Sequence, residues 1–98
     1  MEIIDVSKKT GFSAEFMPRI LRAKPEYKVP LICMDPGQMI PAHPSGTGIF
    51  YFISGKGIMT IEGADYEVGP GTLIFIEKGE SRGIRAVERL VAFAVHLS

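Results

Sequence analysis

The sequence predicts an all-β domain, a barrel or sandwich of short antiparallel strands. Three observations carry that expectation. Eleven glycines and seven prolines are spread along the chain and cut it into short apolar runs. Turn signals recur about every eight to twelve residues, the spacing of small sandwiches and barrels. The run at positions 48–54, Gly-Ile-Phe-Tyr-Phe-Ile-Ser, is rich in β-formers and bounded by glycines. With 98 residues, 46% of them apolar, the chain supports one core and one domain.

The elements follow in order. Residues 1–17 form an N-terminal segment, expected as an extra strand or turn, and 18–98 form the barrel domain. Within the segment, Ser-Ala-Glu-Phe-Met at 13–17 reads as a helical turn with Ser13 as N-cap and Glu15 in its first turn. Arg-Ile-Leu-Arg-Ala at 19–23 and the run 27–34 flank a Lys-Pro-Glu turn. Asp35-Pro36-Gly37 signals the next turn, with proline at its second position. After the 48–54 strand, the runs 57–62 and 65–68 are expected to form a hairpin around Gly63-Ala64. The run 71–79 is a further apolar strand. The last two, 81–87 and 89–98, join near Glu88. The count is about eight or nine strands.

Side-chain parity adds a prediction about assembly. Gly48, Phe50, Phe52 and Ser54 share one face of their strand, and Ile49, Tyr51 and Ile53 the other. Leu73 and Phe75 likewise oppose Ile74 and Ile76. A strand in a lone small barrel should show one wet face, yet both faces here are apolar. The outer face therefore expects cover, either from a second copy of the chain in a homodimer or from the N-terminal segment.

Charge and composition exclude several classes of function. Eleven basic residues balance eleven acidic ones, so neither nucleic acid nor an anionic membrane is an expected partner. No apolar run approaches the ~18 residues of a membrane helix, and the N-terminus lacks the order of a signal peptide. The single cysteine, Cys33, cannot form an internal disulfide, which points to a reducing, cytoplasmic setting. It reads as a small buried hydrophobe, and Met34, Met39 and Met59 as core filler. "GPG" and "SGKG" are glycine turns, since a phosphate loop needs a following helix.

The glycine framework resembles that of a single-domain cupin, over about Pro36 to Arg85 and more loosely from Pro18 to the end. Gly37 is followed after five residues by His43, as the first cupin motif asks. The motif's second histidine position falls on Ser45, and its glutamate position on Gly48, counting back from Gly55. In the second motif Gly63 and "GPG" at 69–71 match, with Gly69 in the proline place. Thr72 then stands for the usual aspartate, Glu77 for a proline, Arg82 for the last ligand histidine and Ala86 for an asparagine. The resemblance implies a cupin-like double-stranded β-helix, or jelly-roll, barrel. The turn-setting glycines are largely present, while three of the family's four metal-ligand positions are changed.

This split directs the functional expectation. One imidazole cannot hold a divalent ion tightly, since zinc sites need about three or four protein ligands. A set of His43, His96 and Cys33 has no supporting local spacing. Arg82 brings a permanent charge to a position where relatives keep a cation. It either holds a carboxylate or phosphate through paired hydrogen bonds, or turns out of the barrel mouth to pair loosely with Glu80 or Glu77. His43 lacks a sequence neighbour to orient it as a catalytic base. His96 shares a face with Ala92 and Ala94, which leaves room for a pocket floor or, the favoured expectation, a close contact between subunits.

The expected function is thus a metal-free small-molecule binding module for an anionic or carboxylate ligand. His43, Arg82 and Ser45 are its polar anchors and Phe50 and Phe52 its walls. No catalytic residue and no cofactor is assigned, a divalent metal being disfavoured. The alternative is a metal-dependent small cupin enzyme of isomerase, lyase or dioxygenase type with a rebuilt metal site.

Overall fold

A computed structural model describes all 98 residues. It is a two-sheet antiparallel β-barrel. The strands are β1 (Arg19–Ala23), β2 (Tyr27–Met34), β3 (Met39–Pro44), β4 (Gly48–Ser54), β5 (Gly57–Ile61), β6 (Ala64–Val68), β7 (Leu73–Ile76), β8 (Ser81–Ala86) and β9 (Leu90–Leu97). One sheet runs β1-β2-β9-β4-β7 and the other β3-β8-β5-β6.

The strand read least clearly from the sequence is β3. Its prolines, Pro41 and Pro44, carry no N–H for a ladder and so obscure the strand pattern. They are tolerated because β3 is an edge strand, paired only with β8 and with an irregular register between Ile40 and His43. The β5–β6 hairpin turns one residue earlier than expected. Ile61 pairs with Ala64, which leaves Glu62 (φ 48°) and Gly63 (φ 80°) as the two turn residues. Both are left-handed, the requirement of a two-residue turn whose twist matches its strands.

The inner faces of the two sheets meet in one core that includes Ile32, Met34, Phe52, Met59, Ile84 and Leu90. Phe52, Met34, Met59 and Leu90 are fully buried, each worth about 1.5–3 kcal/mol of transfer free energy. Met39 departs from the core-filler reading: it is 53% exposed, at the start of the edge strand.

The N-terminal segment contains no strand. Its one regular element is a single 3-10 turn at Val6–Lys8, capped by Asp5, whose carboxylate accepts from the Ser7 N–H. The expected helical turn at 13–17 is absent. Instead the Ser13 and Ala14 carbonyls accept from the side-chain amide of Gln38, the chain's one glutamine, at 2.7 and 3.1 Å. A tertiary contact thus claims carbonyls that a helix would have used. Val6 and Phe12 pack on a small outer cluster of Leu31, Cys33 and Val91, and the Arg89 guanidinium lies 4.3 Å over the Phe12 ring. The segment therefore covers the outer face of β2 and β9. It leaves Ile53, Leu73 and Phe75, on the outer face of β4 and β7, exposed.

Candidate functional site

Register brings polar side chains to one end of the barrel interior. On one sheet Lys28 pairs with His96, and His96 with Gly48. On the other, His43 pairs with Arg82. Because alternate residues of a strand share a face, the levels further in are apolar, with Ile32 on β2, Phe50 on β4 and Ile84 on β8. Between the sheets lies a cavity of about 420 Å³. Its polar wall is Lys28, His43, Ser45, Arg82 and His96, and its apolar wall includes Phe16, Ile32, Ile40, Phe50 and Ile84. No aspartate or glutamate lines it.

Arg82 points inward and is 3% exposed. Neither a loose surface pair with Glu77 or Glu80 nor an outward orientation is found. Its guanidinium instead donates to main-chain carbonyls: Nε to Glu80 at 2.9 Å, Nη1 to Gly46 at 2.7 Å and Nη2 to Glu77 at 3.1 Å. Three of a guanidinium's five N–H groups are so used, which leaves one on each terminal nitrogen. The ion pairs of the molecule are Arg22–Glu2 and Arg89–Asp35, so Arg82 has no carboxylate partner. Burial pulls its pKa below the ordinary value, an effect only partly opposed by the charge of Glu80.

His96 lines the cavity, as the pocket-floor alternative has it. Its ring meets Phe50 edge-on, with centroids 5.7 Å apart. Its Nδ1 is buried and has no hydrogen-bond partner. Burial, reinforced by the positive charges of Arg82, Lys28 and His43, lowers its pKa from 6.5 and favours the neutral ring. The inner position of His96 follows from its parity with Ala92 and Ala94, both fully buried. Lys28 was also missed; its parity with Pro30 and Ile32 was the available signal.

His43 sits at the exposed rim, its Nδ1 2.9 Å from the Pro41 carbonyl. A carbonyl only accepts, so Nδ1 carries the proton and Nε2 is left as an acceptor in the neutral ring. Ser45 and Phe50 join His43 and Arg82 on the cavity wall. Phe52 does not. One inward-facing position further along β4, opposite Ala92, it is sealed in the core where the sheets close. Cys33 lies on the outer face of β2, away from His43 and His96. No group of three or more His, Cys, Asp or Glu side chains converges as a metal cage would require. No helix is long and apolar enough to cross a membrane.

A two-sheet jelly roll with its cavity between the sheets defines a class, the small single-domain β-barrels that enclose a ligand-sized space. The cupin domain family matches residues 30–96, and the chain belongs to that family. Solved structures share the whole fold. A conserved protein of unknown function from Streptococcus pyogenes superposes with a TM-score of 0.87 at 23% identity, covering 99% of this chain and 87% of that one. An RmlC-like cupin from Desulfovibrio desulfuricans gives 0.89 at 18%, covering 99% and 96%. KdgF from a Halomonas species gives 0.76 at 19%, covering 88% and 82%. At these identities the likeness establishes the fold alone. No curated protein matches the sequence.

Proposed function

We propose that this cupin is a metal-free binding module that takes a small anionic molecule, a carboxylate foremost, into its barrel without transforming it. The observation that carries the reading is Arg82: a buried guanidinium with no carboxylate partner, on a cavity wall without acidic residues. A buried charge is costly, and three carbonyl dipoles and the nearby charge of Glu80 offset that cost only in part. A bound anion supplies the missing countercharge. On the same wall Lys28 adds positive charge and the unpartnered Nδ1 of His96 a further donor.

The donor set does not suit a divalent cation. Two imidazoles, a hydroxyl and no carboxylate fall short of a metal's ligand requirement. The fixed charge of Arg82 repels a cation at the same wall.

The same reading places the protein in a reducing cytoplasm and assembles it as a homodimer. The dimer is supported by Ile53, Leu73 and Phe75, exposed on β4 and the edge strand β7, where the N-terminal segment does not reach. An exposed apolar patch of this kind is what a two-fold pair can bury.

Thermal stabilisation by small carboxylates at constant ionic strength tests the binding, with chloride and neutral amides as controls. Stabilisation by carboxylates alone is the expected result; equal shifts from the amides would remove the anion. Metal content of protein purified without chelator or affinity tag tests the rest. Near one tightly held ion per chain would overturn the metal-free reading.

A further inference from the structure

We infer that the occupant is a monocarboxylate with a compact apolar body, its head toward Arg82 and His96, an assignment that rests on the anion reading above. A Cβ built on Gly48 would lie 3.4 Å from Arg82 Nη1 and 3.4 Å from His96 Nδ1, so the two nitrogens are no more than about 7 Å apart at one end of the cavity.

The donors in that space suit one carboxylate. Arg82 retains an N–H on each terminal nitrogen, and His96 Nδ1 is buried with nothing to bond. A neutral imidazole with its proton on Nδ1 is a third donor, and a carboxylate accepts all three. A phosphate brings more acceptors and more charge than these groups satisfy.

The rest of the space suits hydrocarbon. Inward from Gly48 the wall turns to Phe50, Ile32, Ile84 and Ile40. The cavity of about 420 Å³ has room for on the order of ten non-hydrogen atoms, taking the ~30 Å³ share of a liquid water for each. A branched or aromatic body fills it; a bare acetate leaves it wet.

The test titrates wild type and His96→Leu calorimetrically with 3-methylbutanoate, its amide, acetate and inorganic phosphate. Circular dichroism first establishes that the variant is folded. The wild type is expected to bind 3-methylbutanoate about tenfold or more tighter than acetate, from the added buried methyl groups. The amide on wild type, and 3-methylbutanoate on the variant, should each lose about tenfold or more, the effect of removing a charge-assisted hydrogen bond. Should His96→Leu not fold, the wild-type series carries the test. Phosphate or acetate binding as tightly as 3-methylbutanoate would overturn the head-and-body assignment while leaving an anion site. Wild-type affinity in the folded variant would move the head away from His96 and overturn it too. Binding of no anion at all would sink this inference together with the function it rests on.

Discussion

Replacing Arg82 by methionine removes a buried charge and three hydrogen bonds together, and the structure decides which effect wins. The lost bonds run to the carbonyls of Gly46, Glu77 and Glu80 at 2.7–3.1 Å. Each bond from a charged donor contributes about 1.5–3 kcal/mol net of water. Against this stands the cost of burying a guanidinium without a countercharge, several kcal/mol. Glu77 is exposed and its carbonyl can rehydrate in part, whereas Gly46 and Glu80 are half-buried. Methionine fills the stem's volume, so no large cavity adds to the loss. The balance is a destabilisation of about 3 kcal/mol, a large share of the ~5–15 kcal/mol typical of a domain. Urea unfolding measures it: the midpoint should fall by about 2 M at an unchanged slope near 1.5 kcal/mol/M. Arg85→Met, an exposed change on the same strand, should cost less than about 0.5 kcal/mol. An Arg82→Met midpoint within about 0.3 M of wild type would refute the claim that this guanidinium ties the barrel mouth together.

Three further outcomes follow from the same geometry. His96 is held below its ordinary value of 6.5, so between the two values the unfolded chain binds more protons than the folded one. Stability should therefore decline as pH falls through 6.5 and level off below the folded value; melting temperatures should show this in wild type and a flatter profile in His96→Leu. Gly55 adopts φ 77°, and a Cβ there would overlap the Arg89 carbonyl, so Gly55→Ala should cost about 3 kcal/mol or more, read as a lowered melting temperature or insoluble expression. Phe75 is 67% exposed on the edge strand, and Phe75→Lys should convert a dimer to monomers by light scattering with little change in monomer fold.

What the sequence disclosed was local, and what it hid was distant. The inward face of β4 was legible because parity is a property of adjacent residues: Gly48, Phe50 and Phe52 are buried, while Ile49 and Tyr51 are half-buried. The turns were legible because their glycines and prolines announce backbone angles; the hairpin at Glu62-Gly63 was misplaced by one residue because a glutamate also takes up a left-handed conformation there. Pro41 and Pro44 concealed β3, whose strand status comes from β8 and not from its own composition. The expected helical turn at Ser13 lost to Gln38, 25 residues away. Arg82 was singled out by its place in the cupin-like glycine framework, but its partners were not readable. Gly46 is 36 residues from it, and main-chain carbonyls carry no sequence signal. Phe50 and Phe52 looked equivalent by parity, yet only the depth at which the sheets close separates a cavity wall from a core plug.

The structural role of Arg82 and the anion-binding role proposed for it depend on one another. Its carbonyl bonds anchor the loop after β3 at Gly46 and the loop before β8 at Glu77 and Glu80, the two segments that frame the polar end of the cavity. The Gly79 N–H bond to the Ser45 carbonyl, at 2.8 Å, joins the same loops a second time. These contacts hold the guanidinium in place before any guest arrives, so its ordering is completed by folding and is not charged to binding. On the proposed reading an anion would relieve the remaining charge only while the loops keep the guanidinium buried. Binding and closure of the mouth therefore favour each other, and a ligand of the right charge should stabilise this end of the barrel more than the core.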